Sequence, residues 1–220
     1  MWINVDKTSG ELSTSTAKYL EKCEDYDMTG VALENLIDDI SSGALQGVGY
    51  SAIKDRLQAN ELLYADGFRD LHTSLYSAQL IHQQELGSYL PEGGYIDSEK
   101  LAEQIRGLDD QVKSLYAFDA EHFSSLSSLG PSSNIVFLET LRDALVDKLQ
   151  RLEAYAANTQ WLYDDTNALS DALAEGAQYI SGIYWDSGAL AFIGSGDEGW
   201  RFQLADAQAA VLEDLLRLAR

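Results

Sequence analysis

Positive charge, proline and cysteine are all scarce in this chain of 220 residues. Fifteen Lys and Arg stand against 36 Asp and Glu, a formal charge of −21 with histidine neutral. Nucleic acid is therefore excluded as a partner class, because phosphate binding needs clustered cations that displace counterions. Anionic membrane surfaces are disfavoured for the same reason. The single cysteine, Cys23, rules out an internal disulfide and any cysteine-based zinc site. No run approaches about 18 consecutive apolar residues, so no stable membrane insertion is expected. The opening MWINVDKTSGEL lacks a basic stretch followed by an apolar one, so no cleavable signal peptide is read there. The 45% apolar content nevertheless belongs to a folded protein, of one or two domains by length.

There are only two prolines, Pro91 and Pro131. Proline breaks helices, so its scarcity permits long ones. Leu12, Thr16, Tyr19, Cys23, Tyr26, Gly30, Leu33, Ile37 and Ile40 recur at alternating spacings of four and three. That spacing predicts one helix with a narrow apolar seam of the coiled-coil kind, ended by Ser41-Ser42-Gly43. Gly10 and Gly30 weaken it by about 1 kcal/mol each relative to alanine. A second seam runs through Ile53, Leu57, Tyr64, Phe68, Leu71, Leu75, Ala78 and His82, closing near Gly87 and Pro91. Two such helices joined by a short glycine-containing turn make an antiparallel hairpin.

A third helix is predicted to start at Asp97, a good N-cap, with Ile96 and Leu101 placed as a hydrophobic staple. Its seam is Leu101, Ile105, Leu108, Val112, Leu115, Asp119, His122, Leu126 and Leu129, stopped by Gly130 and Pro131. A fourth helix from Ser132 or Ser133 carries Leu138, Leu141, Leu145, Leu152, Tyr155, Leu162, Leu169, Leu173 and Ile180. Unbroken, it would span about 70 Å; a kink near Asn158 or Gly176 is the alternative. Beyond it, Ile183–Trp185 and Leu190–Ile193 read as strands around an Asp-Ser-Gly turn. A loop at 194–199 then leads to a helix carrying Leu204, Val211, Leu212, Leu215 and Leu218. The expected fold is all-α: an elongated long-helix hairpin or coiled-coil stalk with a small C-terminal β-hairpin.

No catalytic constellation emerges from the motifs. Gly194-x-Gly196-x-x-Gly199 formally matches a dinucleotide fingerprint, but the chain after it barely accommodates a second βαβ strand, and Asp197 and Glu198 would repel a pyrophosphate. Gly47-x-Gly49-x-x-Ala52 follows a helix and reads as a turn. Asp119-x-x-His122 places a carboxylate and an imidazole on one helical face, as a di-metal bundle requires. The matching pair is missing, since Arg69 precedes His72 and Gln79 precedes His82 by three residues. It reads better as a polar break that fixes register or meets a partner. His82 and Glu85 lack a third ligand at any suggestive spacing. No Gly-x-Ser-x-Gly elbow occurs, and Cys23 lies in a tyrosine-lined seam as a small hydrophobe.

The turn Gly43-Ala-Leu-Gln-Gly-Val-Gly-Tyr50 resembles the naming motif of the LXG domains that open polymorphic toxins exported by type VII secretion systems. Leu45, Gln46 and Gly47 would be the Leu-x-Gly, after one long helix and before Tyr50-Ser-Ala-Ile-Lys-Asp. Gly94-Tyr-Ile-Asp-Ser-Glu-Lys-Leu-Ala-Glu-Gln-Ile105 is similar to the family's acidic lead-in to its middle helix. Lys148 through Phe192 is similar to its long final helix and terminal hairpin. The likeness spans residues 1–193. It implies a non-enzymatic targeting domain without cofactors or metals, cytoplasmic before export and secreted by the type VII system without a cleavable signal. It implies small helical-hairpin (WxG-like) partner proteins bound beside the N-terminal helices, and presentation of the complex to the secretion apparatus. The killing activity of an antibacterial toxin would lie in a variable domain that follows.

On that reading residues 1–90 form a half-bundle completed by a partner, 91–193 a stalk with its hairpin, and 194–220 a loop and helix that either begin a linker or elaborate the domain. Two paired helices leave apolar surface wet, and a partner's helices are the usual way to cover it. The expected partner-binding residues are Leu33, Ile37, Ile40, Leu45, Gly47, Tyr50, Ile53 and Leu57. Leu45 would plug the closed end of the hairpin, and Gly47 would turn where a side chain would clash. A plain hairpin turn with no partner role is the simpler account of both. Two other classes stand beside this one. The first is a self-associating structural coiled coil, separable by light scattering. The second is an enzyme on a helical scaffold, which would need a co-purifying metal or cofactor.

Overall fold

A computed structural model describes residues 1–122, 133–194 and 196–218. Leu126, Leu129, Gly130, Pro131 and Ser132, and the side chains of His122, Leu215 and Leu218, lie outside the described residues. The elements in order are β1 (Trp2–Asn4), α1 (Val5–Ser41), α2 (Val48–Arg56), a π-helical turn (Leu57–Glu61), α3 (Leu62–Tyr89), β2 (Tyr95–Asp97), α4 (Ser98–His122), α5 (Ser133–Thr159), α6 (Asp164–Ser181), β3 (Tyr184–Asp186), β4 (Ala191–Ile193) and α7 (Trp200–Leu218). The fold is all-α, with two small antiparallel two-stranded sheets among the described residues. It forms two compact units, Met1–Leu12 with His82–Trp161, and Ser13–Ile81 with Leu162–Arg220. Each unit draws on two separate segments, whereas a division by composition runs along the chain.

In the first unit, β1 pairs with β2 in the register Trp2↔Asp97, Ile3↔Ile96 and Asn4↔Tyr95. Strands of three residues are too short to show alternation, and β1 escapes a pattern search altogether. The ladder is extended by Val5 N–H donating to the Gly94 carbonyl at 2.8 Å. Asp6 accepts the Gly94 N–H at 3.0 Å, and a Cβ on Gly93 would stand 2.6 Å from the same carboxylate. Gly93 also holds a φ of +69°, so this turn requires glycine twice over. Asp97 caps α4 as expected, its carboxylate accepting the Glu99 and Lys100 N–H groups at 3.0 and 3.4 Å. The staple residues Ile96 and Leu101 are buried with Ile3, Val5, Leu86, Leu90, Leu152 and Tyr155 in this unit's core.

Helices α4 and α5 run antiparallel, with Tyr116 donating to Glu139 at 3.0 Å and Arg142 to Asp109 at 3.4 Å. That pair corrects one seam residue. Leu141 is exposed, and Arg142 takes the position facing α4 while Ile135, outside the expected seam, is fully buried. Arg151 secures the end of α3: it donates to the Tyr89 carbonyl at 3.1 Å, to Asp147 at 2.9 Å and to Glu92. The guanidinium holds the Glu92 carboxyl below its usual range.

The fourth helix is two helices. The chain turns at 160–163, beside the Asn158 alternative, and restarts at Asp164 and Asp165, whose charges suit a helix N-terminus. Gly176 does not kink α6. It is buried inside it because a Cβ there would come within 2.7 Å of the Trp200 ring.

In the second unit α1 and α3 form the expected antiparallel hairpin. Thr16 donates to Gln79 at 3.2 Å, Cys23 Sγ lies 3.6 Å from Thr73 Oγ1, and Tyr26 stacks on Phe68 at 5.0 Å. Every α1 seam residue is buried or half-buried. Helices α6 and α7 pack together around Trp200, Leu204, Leu169 and Leu173, with Leu71 of α3. Gly67 lets α3 approach, since a Cβ there would stand 2.8 Å from Leu173 and 3.0 Å from Leu204. Helix α7 is thus a core element of its unit. The β3–β4 hairpin forms where expected, its turn held by Asp186 accepting the Gly188 and Ala189 N–H groups at 2.7 and 3.1 Å.

Candidate partner-binding site

The Leu-x-Gly turn links α1 to α2. Helix α1 ends with Ser42 N–H donating to the Asp38 carbonyl at 2.7 Å, and Gly43 follows at a φ of +83°. Gly47 starts α2, its carbonyl accepting the Tyr50 and Ser51 N–H groups at 3.1 and 3.2 Å. Its φ of 125° and ψ of 160° fall in a region essentially reserved for glycine. A Cβ at Gly47 would meet nothing within 4 Å. The requirement is therefore backbone conformation, which corrects the expectation of a steric clash. Gly47→Ala is expected to cost about 1–3 kcal/mol, read as a lower denaturation midpoint, with binding to any partner weakened only through misplacement of α2.

The eight expected contact residues divide into three groups. Ile37 and Ile40 are buried within the chain itself and offer no surface to a partner. Leu33, Leu45 and Leu57 are half-buried, Gly47 is exposed, and Tyr50 and Ile53 are open to solvent. Ile53 turns outward because of the π-turn. One extra residue at Leu57–Glu61 rotates α2 relative to α3, and Asn60 is buried there, donating to the Arg56 carbonyl at 3.2 Å. Arg56 donates from Nε to Glu61 at 2.6 Å, a pair that spans the same turn.

Sequence reasoning missed a second surface on α1. Leu20, Met28 and Val31 are exposed on the face turned away from the seam. At 100° per residue they share an arc of about 80°, a signal that the narrow seam had eclipsed. Glu24 and Asp38 share that arc, so an apolar row interrupted by acidic residues lies along the outside of α1.

The candidate chemical motifs resolve as structure. The glycines at 194, 196 and 199 follow an antiparallel hairpin, not a parallel strand, and Gly194 admits the Tyr179 ring, whose hydroxyl would lie 2.5 Å from a Cβ. His82 Nε2 lies 2.5 Å from the Tyr155 hydroxyl, and burial pushes its pKa down. The folded chain thus resists a proton that the unfolded chain accepts near pH 6.5, so His82 costs stability as pH falls below about 6.5. His82→Gln is expected to flatten the loss between about pH 7 and 5.5, read by urea midpoints of both proteins against pH. Of the Asp119–His122 pair, Asp119 is half-buried on α4, and the His122 side chain lies outside the described residues.

Among the described residues no three His, Cys, Asp or Glu side chains gather as a metal site, and no helix is long and apolar enough to cross a membrane. No model of a known family matches this chain, and no match to a curated protein was found.

Proposed function

We propose that this chain is a non-enzymatic targeting domain of a type VII-exported antibacterial toxin, binding small helical-hairpin proteins and presenting them to the secretion machinery. The exposed row Leu20, Met28 and Val31 on α1 carries the reading. One face of α1 is spent on α3, and a second apolar row on the same helix is left for helices from elsewhere. Tyr50 and Ile53, exposed just after the Leu-x-Gly turn, would extend that contact. The net charge of −21 would draw a partner with a basic face.

The test is co-purification of the tagged chain from its source cells, intact-mass identification of what binds, and reconstitution from purified components. Small helical proteins at fixed stoichiometry are expected. Val31→Asp should weaken their binding by about a hundredfold without moving the unfolding midpoint, because Val31 makes no core contact. Leu45→Asp should impair both binding and export. If light scattering instead finds the chain at twice 24.2 kDa with nothing else bound, the outer face of α1 serves self-association and the targeting reading fails.

A further inference from the structure

The second unit contains a cleft of about 410 Å³ between α2 and the β3–β4 hairpin, floored by Asn60, Tyr179 and Arg201. Its volume lies in the range of small-molecule sites. Val48 and Ala52 of α2 face Ile183, Leu190 and Phe192 across it, which gives a cleft of mixed lining one apolar flank.

Two of the fifteen cationic residues of an acidic chain meet here, and both are oriented by aromatic rings. The Arg56 guanidinium lies 4.9 Å from the centre of the Phe192 ring, and that of Arg201 lies 5.6 Å from Tyr179 and 5.9 Å from Trp200. Arg201 donates to Glu198 at 3.0 Å and to Asn60 at 2.7 Å, while its Nε is buried with no partner among the described residues. Arg56 gives its Nε to Glu61, and its two terminal nitrogens donate to no side chain or carbonyl among the described residues.

Acceptors are in shorter supply. Both Glu198 oxygens are taken, one by Arg201 and one by the Tyr179 hydroxyl at 2.8 Å. Glu61 keeps one buried oxygen without a partner, beside the one that holds Arg56. Asp55 is the lining carboxylate that has no partner among the described residues, and it is exposed at the rim. Unspent guanidinium donors beside an apolar flank suit a planar acceptor that takes two N–H groups at once, with a hydrophobic remainder.

We propose that this cleft binds a small organic carboxylate with an apolar body, its charged end held by Arg56 and Arg201 and its body against Leu190 and Phe192. The site is independent of the partner surface on α1 and of the export reading. The π-turn suits it, because the extra residue at Leu57–Glu61 brings Asn60 to the Arg201 head group.

The experiment is calorimetric titration of the full chain with 3-phenylpropionate and with the neutral alcohol of the same shape, 3-phenylpropanol. The carboxylate is expected to bind at least about tenfold more tightly than the alcohol. Arg56→Gln should abolish that preference while leaving alcohol binding in place, and Ala52→Trp, which fills the cleft, should remove both. The proposal is overturned if the carboxylate fails to bind by about 10 mM, if it binds no better than the alcohol, or if its preference survives Arg56→Gln. Should Arg56→Gln fail to fold by circular dichroism, carboxylate binding that survives Ala52→Trp overturns it equally.

Discussion

Trp200→Ala is expected to remove about 3–5 kcal/mol of stability, the usual cost of emptying a buried aromatic site. Trp200 is 1% exposed and lies edge-on to Tyr64, with ring centres 6.4 Å apart. Its Nε1 is buried with no hydrogen-bond partner among the described residues, so the loss is chiefly one of packing and cavity. Trp200→Phe, which keeps much of the ring and discards the orphan N–H, should therefore cost far less. The coupling to Gly176 sharpens the test. With tryptophan present, a methyl at 176 would meet ring atoms at 2.7 to 3.1 Å, so Gly176→Ala should destabilise by about 1–3 kcal/mol. With alanine at 200 the space is free, and the same change should turn neutral or stabilising, since alanine is favoured over glycine in a helix by about 1 kcal/mol. Urea unfolding of the four proteins of this double-mutant cycle measures it. A Gly176→Ala cost that is unchanged in the Trp200→Ala background would mean that the ring does not set the requirement for glycine.

That pair also marks where the sequence was legible. Spacing alone identified the α1 seam, the Asp97 cap with its staple, and the C-terminal hairpin, because each is decided by neighbours within one turn or one strand. Gly176 was visible only as a weak point in a helix. Its role depends on Trp200, a residue on another element that a local pattern cannot bring to it. The same holds for Arg142, where a long side chain paired with Asp109 displaces Leu141 from the seam. For α7 the spacing marked Leu204 on an apolar face but carried no sign of what that face meets, nor that Trp200 at its start would be 1% exposed.

The turn was legible in position rather than in cause. The turn from Gly43 to Tyr50 was located correctly, yet the reason for Gly47 is its backbone angle, and angles are not written in spacing. Ile37 and Ile40 belonged to the seam and were offered to a partner as well. The structure spends them internally and leaves Leu20, Met28 and Val31 outside. Ile53 went astray because a π-turn breaks the periodicity on which a seam is counted. The Arg56–Arg201 cleft had no sequence signal, since its cations stand 145 positions apart in the chain (201 − 56).

The second large effect is expected at Ile96, where a three-residue strand, a helix cap and a core meet. Ile96 is 2% exposed, pairs with Ile3 across the sheet and shares a core with Leu86, Leu90 and Leu152. Ile96→Ala should cost about 2–5 kcal/mol, against about 1 kcal/mol for Asp97→Ala, which removes only the cap. The two also differ in what they release. A two-stranded ladder this short is not stable without a core beneath it. Ile96→Ala should therefore free β1, and with it the stacking of Trp2 on Tyr95, whose ring centres are 5.9 Å apart. Hydrogen exchange at Ile3, Val5 and Ser98 should rise with loss of the backbone pairing, while in Asp97→Ala the rise should be confined to Glu99 and Lys100, whose N–H groups the carboxylate caps. Equal exchange profiles in the two variants would mean that the cap, and not the buried isoleucine, holds the first strand in place.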